Sequence, residues 1–415
     1  MRPRCDDPNP AQAGADWPPA VIAGAYQTGV LGLRSLVRRG VKATCVDWDR
    51  RNPGFRSVYG RAHLCPNPGK DPAGWVDFMI ALSGKMGSKP VLISSSDQYV
   101  SAIAEHASKL AEHYLLSPGV PLQGLLATKQ TQYALAAKHG MPMPRTQFVD
   151  SRNDVEAFAS DAEFPCLMKP LHFREWQAFP KGHSLSHVKV AIAQTPAQLL
   201  DHWRLAAAVN PNVILQEIIQ GPDTGKRVYL SCYDSAGRRI GNALFRELRC
   251  DPVGFGPATV SEPVVDPETD AVCDRFLRSI GYSGICEIEM KRDARDDQVK
   301  LIEANPRLSG GGDAAPHAGV DLCWLHYLDM IGKPVTPVAP DRRDFRHIVL
   351  RSDVSTIIAY RQARLISWRD IFRSYKPPLA FFDFDRHDWR YSAETIYLMA
   401  RAAAGALLRS WFPQR

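Results

Sequence analysis

From Pro19 to about Ser117 the chain alternates short apolar runs with amphipathic stretches, and this alternation narrows the fold more than any other feature. PPAVIAGA reads as a buried strand ending in small residues. Thr28 to Arg39 reads as a helix, with Thr28 as its N-cap and Gly40 closing it. VKATCVDWD is a second strand, WVDFMIALSGKM a helix, and PVLISSSD a third strand followed by the helix YVSAIAEHASKL. Strands separated by helices pair in parallel, so a doubly wound sheet is expected. The first strand–helix turn holds Gly24, Gly29 and Gly32, a spacing that is not GxGxxG. Asp47 ends the second strand, where a dinucleotide fold carries its ribose-binding acid. Close strand–helix packing, or a substrate-facing loop, is the stronger reason for these glycines.

At 415 residues the chain is too long for one compact core. The expected divisions are a disordered polar, proline-rich segment 1–18, a Rossmann-like domain 19–118, a two-lobed domain 119–335 and an aromatic, basic extension 336–415. The two lobes are expected at about 119–215 and 216–335. The first 20 residues lack the apolar core of a secretory signal. No apolar run reaches the roughly 18 residues that a membrane span needs. A net charge of +7, from 51 basic and 44 acidic residues without a long basic run, argues against nucleic acid as a partner. The nine Cys are scattered with no CxxC pair, which suits buried free thiols in a reducing cytosol. A cytoplasmic protein is therefore expected.

Beyond the first domain, Leu122 to His139 reads as a helix. TQFVD, a helix over 153–159 and FPCLMKP form a strand–helix–strand unit. The charged, aromatic stretch His172 to His183 reads as an exposed loop. VKVAIAQT, a helix near 196–207 and NVILQEII follow. Arg227 onward is strand-rich, with a hairpin turning at Asp234 to Gly237. A helix over 270–280 precedes the strands GICEIEMKRD and QVKLIEAN.

Phosphate transfer from a nucleoside triphosphate needs cations to hold the phosphates, and Mg2+ bound by hard oxygens. A developing acyl-phosphate needs a fixed positive group beside it. The strand LIEANPR supplies Glu303, Asn305 and Arg307, which point to one face of an extended chain. Glu289 lies on the preceding strand, across the turn RDARDD, and can stand beside Glu303. There is no Ser-His-Asp set, Walker loop or HExxH motif.

These motifs resemble those of the ATP-grasp superfamily, over roughly Val21 to Lys333. The resemblance implies an α/β and α+β architecture, with a doubly wound N-terminal domain followed by a two-lobed ATP-grasp domain and a helical extension. It implies that Glu289, Glu303 and Asn305 bind two Mg2+ ions, with Mn2+ as a substitute, and that Arg307 steadies the transferred phosphoryl. Lys129, in ATKQTQYALAAKHG, and Lys169, in FPCLMKP, match the two ATP lysines, Lys169 being catalytic as well. VILQEIIQGPD matches the segment that holds adenine and ribose, through Gln216, Glu217 and Ile219, with Asp223 as the ribose acid.

The loop after the second lysine covers the triphosphate in the family, so His172, Arg174, Trp176, Lys181 and His183 are candidates for phosphate or substrate contact. Trp176 could also close the site to water. The glycines of LSGGGD let a backbone approach a ligand, making Ser309, Gly310 and Gly311 candidate substrate contacts. Asp97, at the end of the third strand, could read an amine or else cap the next helix. His317 reads chiefly as a structural histidine.

The implied reaction is ATP-dependent activation of a carboxylate and its joining to an amine, releasing ADP and phosphate. The alternatives are a non-catalytic ATP-binding or scaffold protein, and carboxylation of the biotin-carboxylase kind. In the tail, SAETIYLMARAAAGALLRSWF reads as a helix, where Ser392 and Glu394 fall one residue short of a capping box. Its apolar positions suit packing on the core or on a second subunit. Arg401, Arg409 and Trp411 also suit a membrane surface, so a homodimer and a peripheral membrane contact both stay open.

Overall fold

The computed structural model describes residues 16–171, 176, 179–180, 182–186, 188 and 190–411, with side chains to 401. The expectations for residues 1–15, His172, Arg174, Lys181, Arg409 and Trp411 lie outside the described residues or side chains. The protein is a mixed α/β structure with three sheets, a four-stranded, a seven-stranded and a second four-stranded one. It falls into two compact units: residues 1–127, 222–289 and 304–415 form the first, and 128–221 with 290–303 form the second.

The first unit opens with a four-stranded parallel sheet. Its order is Ala62–Leu64, Ala43–Asp47, Ala20–Ala23 and Val91–Ser94. Strand parity divides the side chains between two cores. Ala20, Ile22, Cys45, Val91 and Ile93 pack with Leu33 and Leu36 of the helix Gln27–Val37. Val21, Ala23, Val46 and Leu92 pack with Trp75 and Met79 of the helix Pro72–Ser83. Helices on both faces leave this sheet buried, as parallel sheets require. The glycines after the first strand serve that packing: a Cβ on Gly29 would lie 2.0 Å from the Gly24 carbonyl oxygen.

A mainly antiparallel seven-stranded sheet follows. Its order is Val299–Asn305, Gly284–Arg292, Lys226–Tyr233, Arg239–Cys250, Ala258–Pro263, Arg346–Ile348 and Leu379–Phe381. The strands read as QVKLIEAN and GICEIEMKRD lie side by side at one end of it. The tail adds the helices Leu350–Gln362, Trp368–Ser374 and Trp389–Trp411. In the second unit a four-stranded antiparallel sheet runs in the order Thr146–Val149, Val213–Glu217, Cys166–Pro170 and Ala191–Ala193. The helices Arg152–Asp161 and Pro196–Ala207 pack Val155, Phe158 and Leu199 on one face of it.

Several helices start where a short polar side chain accepts the backbone N–H three residues on, as at Asp71, Ser151, Thr195, Asp266, Asp321 and Ser367. One expected cap differs. Tyr26, not Thr28, precedes the first helix, and the Thr28 hydroxyl donates to the Ser95 carbonyl at 2.9 Å. The last helix begins at Trp389, ahead of Ser392, whose hydroxyl donates to the Asp385 carbonyl at 2.9 Å. Gly40 does close the first helix, at φ +85°. The stretch 172–183 is not simply an exposed loop: Trp176 and Phe179 are buried in the core of the second unit. Apolar surface that large is stabilised by burial whatever charges flank it. The eight described cysteines are buried and free.

Candidate functional site

In the second unit, strand parity decides which side chains meet. Cys166 and Met168 face the core, which turns Lys169 to the opposite face. Val213 and Leu215 of the neighbouring strand also face the core, which turns Gln216 the same way as Lys169. The Lys169 ammonium donates to Gln216 Oε1 and to the Tyr133 hydroxyl, both at 3.0 Å. It also lies 5.1 Å from the Tyr133 ring centroid. Gln216 is held in turn by Thr146 Oγ1, at 2.7 Å from its Nε2. Tyr133 donates to the Ile302 carbonyl at 2.8 Å, next to Glu303.

Both hydrogen-bond partners of Lys169 are neutral. Burial lowers its pKa from 10.5 to about 8, with Glu303 acting in the opposite sense. Lys129 opens the helix Lys129–Lys138, one turn before Tyr133. Tyr133 was not read from the sequence, although its (i, i+4) spacing from Lys129 was a usable signal.

At the end of the strand Val213–Glu217, Glu217 accepts the Glu163 N–H at 2.9 Å and lies 3.6 Å from Arg295 Nη1. Ile219 is buried. His183 stacks on Phe179, with ring centroids 4.2 Å apart. Trp176 is a core residue of this unit, so its expected role as a cap over the site is replaced by packing.

In the first unit a chain of polar groups runs from the helix Asp97–Glu105 to the strand ends. Arg307 meets Asp97 through both oxygens, with Nε to Oδ1 at 2.6 Å and Nη2 to Oδ2 at 3.0 Å. Asp97 is therefore the partner of Arg307 and not the helix cap. Arg307 Nη2 also donates to Asn305 Oδ1 at 3.2 Å. Asn305 Nδ2 donates to Glu287 Oε1 at 3.2 Å, and the Ser309 hydroxyl donates to Glu287 Oε2 at 2.7 Å. Glu287 is a further acid that the sequence reading passed over. It stands two residues before Glu289 on one strand and so shares its face.

The glycine run has a geometric cause at one position. A Cβ on Gly311 would come within 2.6 Å of Glu287 Oε2. Gly310 faces open space. His317 lies 6.0 Å from the Phe345 ring, centroid to centroid.

Asp223, also in the first unit, sits in a buried polar cluster. It accepts from the Tyr360 hydroxyl and from the Gly254 N–H at 3.2 Å, and lies 3.7 Å from Lys226 Nζ. Glu247 lies 3.3 Å from the same ammonium.

Glu289 and Asn305 of the first unit and Glu303 of the second each carry a hard oxygen donor of the kind Mg2+ prefers. Glu287 accepts from Asn305 Nδ2, while Asn305 Oδ1, the amide atom of the type that binds cations, accepts from Arg307 Nη2. This donor chemistry fits the ion. Among the described residues no group of three or more His, Cys, Asp or Glu gathers as a metal site.

No protein-family model matches the chain. It is similar to the D-aspartate ligase of Enterococcus faecium (strain Aus0004), 26% identical over 276 residues, which is 62% of this chain and 63% of that protein. It is also similar to the D-alanine–D-alanine ligase of Ectopseudomonas mendocina (strain ymp), 32% identical over 193 residues, 43% of this chain and 54% of that one. The chain thus spans less than two thirds of the length of these curated relatives.

Among solved structures, N5-carboxyaminoimidazole synthetase from Staphylococcus aureus complexed with ADP superposes with a TM-score of 0.59 at 13% identity, over 78% of this chain and 79% of that one. The biotin carboxylase domain of Hydrogenobacter thermophilus 2-oxoglutarate carboxylase, in complex with MgADP and bicarbonate, has a TM-score of 0.59 at 12% identity, over 79% and 73%. The chain therefore shares the fold of these solved structures and is similar in sequence to these ligases over part of its length.

Proposed function

We propose that the protein is an ATP-dependent ligase that joins a carboxylate to an amine. The observation that carries the reading is Lys169, a buried ammonium held by two neutral groups and so poised for an anionic ligand. A triphosphate supplies that anion. Lys129 and Lys169 hold its phosphates, while Gln216, Glu217 and Ile219 line the adenine and Asp223 takes the ribose.

Glu289, Glu303 and Asn305 would hold Mg2+, as two ions with Mn2+ as a substitute, and the bound metal would supply positive charge to the phosphates. In the first step a substrate carboxylate oxygen attacks the γ-phosphorus. The bond to the bridging oxygen breaks, and ADP leaves. The amine then attacks the acyl carbon, phosphate departs, and the amine gives up a proton. Arg307 offers a fixed guanidinium to the developing negative charge. Ser309, Gly310 and Gly311 contact the acceptor. The likeness to D-aspartate and D-alanine–D-alanine ligases favours an amino acid as one substrate.

The test is ADP release from Mg-ATP by the purified protein, with amino acids and small carboxylates offered singly and in pairs. Release that requires both a carboxylate and an amine is expected. Glu303→Ala and Arg307→Ala should each abolish it while part of the ATP binding survives. Unchanged turnover in both variants would refute the reading.

A further inference from the structure

The C-terminal extension exposes a surface that the ligase reading does not use. On the helix Leu350–Gln362, Val354 and Ile358 are exposed one turn apart, and Leu365 follows them. The next helix, Trp368–Ser374, turns Ile371 and Ser374 inward and leaves Trp368 and Phe372 outside, 57% and 74% exposed. The Arg361 guanidinium lies 5.2 Å from the Trp368 ring centroid, joining the end of one helix to the start of the other.

A shallow groove runs along the second of these helices, lined among others by Trp368, Arg369, Phe372, Arg373 and Lys376. From 361 to 377 the sequence holds five cations, Arg361, Arg364, Arg369, Arg373 and Lys376, against one acid, Asp370. That acid closes a capping box with Ser367. The four cations after Arg361 are exposed.

Large aromatic side chains standing out of a ring of cations combine two attractions: insertion of apolar surface at the acyl boundary and charge pairing with anionic headgroups. A second copy of this chain would bring the same positive charge to the face, and like charges oppose such pairing. We propose that the face formed by residues 354–376 is a peripheral docking surface for a bilayer rich in anionic phospholipid. This inference is independent of the ligase reading.

The test is flotation of the full-length protein with phosphatidylcholine vesicles, with and without phosphatidylglycerol, at low and high salt. Binding is expected with phosphatidylglycerol, at least tenfold stronger than without it, and weakened by salt. Phe372→Ser and the pair Arg369→Glu/Arg373→Glu should each lower it at least tenfold, with circular dichroism and the thermal midpoint unchanged. Val265→Ser, at an exposed apolar residue outside this segment, should leave it unaltered. Should the charge-reversal pair fail to fold, Arg364→Glu with Lys376→Glu carries the same expectation.

Equal binding to both vesicle types, or binding to neither, overturns the proposal. So does sedimentation velocity showing a dimer that Phe372→Ser dissociates, which would make the face a contact between copies of the chain.

Discussion

Lys169 is charged at a place where charge is costly, and that cost is measurable. Its pKa moves from 10.5 in the unfolded chain to about 8 in the folded one, worth ~3 kcal/mol. Below about pH 8 both states hold the proton, and the full cost of burying the cation is present. Between 8 and 10.5 the unfolded chain binds the proton and the native protein does not, so stability rises with pH and the cost disappears. Lys169→Met removes this slope. Urea unfolding across that window should show the variant's stability relative to the parent falling by ~3 kcal/mol as pH rises, and nucleotide binding should be lost throughout. A pH-independent difference would refute the assignment.

The Asp97–Arg307 pair poses a different question at the same scale. If Asp97 reads a substrate amine, Asp97→Asn removes a charge-assisted hydrogen bond of about 1.5–3 kcal/mol, or roughly tenfold or more in affinity. The KM for the amine should rise by that factor while the KM for ATP holds. An unchanged amine KM would leave Asp97 as a partner of Arg307 alone. The placement of Lys169 in a strand and of Arg307 just beyond one was legible because apolar runs lead into both. The pairing of Asp97 with Arg307 was not, since 210 residues separate them and no local pattern encodes such a meeting.

Among elements, the regular ones were the most readable. The hairpin at Asp234 to Gly237 and the helix Pro196–Ala207 stand where turn chemistry and periodicity put them. Misreadings fell where a local signal competed with packing. Trp176 sits among charged neighbours in sequence but has a core to enter, and Thr28 had a carbonyl to reach other than through a cap.

The tail was opaque because a buried ion pair ties it down. Arg249, on the strand Arg239–Cys250, meets Asp353 of the helix Leu350–Gln362 through two bonds of 2.9 and 2.7 Å. It also donates to Ser374 at 2.7 Å, and Thr259 donates to Asp353 at 2.7 Å. Asp353→Ala leaves a guanidinium buried without its counter-charge and should cost about 3–5 kcal/mol. Replacing both partners, as Arg249→Met with Asp353→Leu, should cost less than that single change. Equal losses in a denaturant titration would show the pair to be unimportant.

At the scale of the whole molecule, among the described residues no helix is long and apolar enough to cross a membrane. The division into units was less legible, because the chain passes between them at 127/128, 221/222, 289/290 and 303/304. Compactness depends on contacts between segments far apart in sequence, and periodicity is blind to those.

That interleaving has a consequence for biosynthesis. The sheet carrying Lys169 and Gln216 leaves the ribosome early, but the segment with Ile302 and Glu303, which completes its surroundings, is made some 80 residues later. The nascent second unit must therefore wait, unfinished, through the synthesis of much of the first. A stop codon anywhere in residues 222–289 would release a chain in which the Tyr133 hydroxyl has no Ile302 carbonyl to meet.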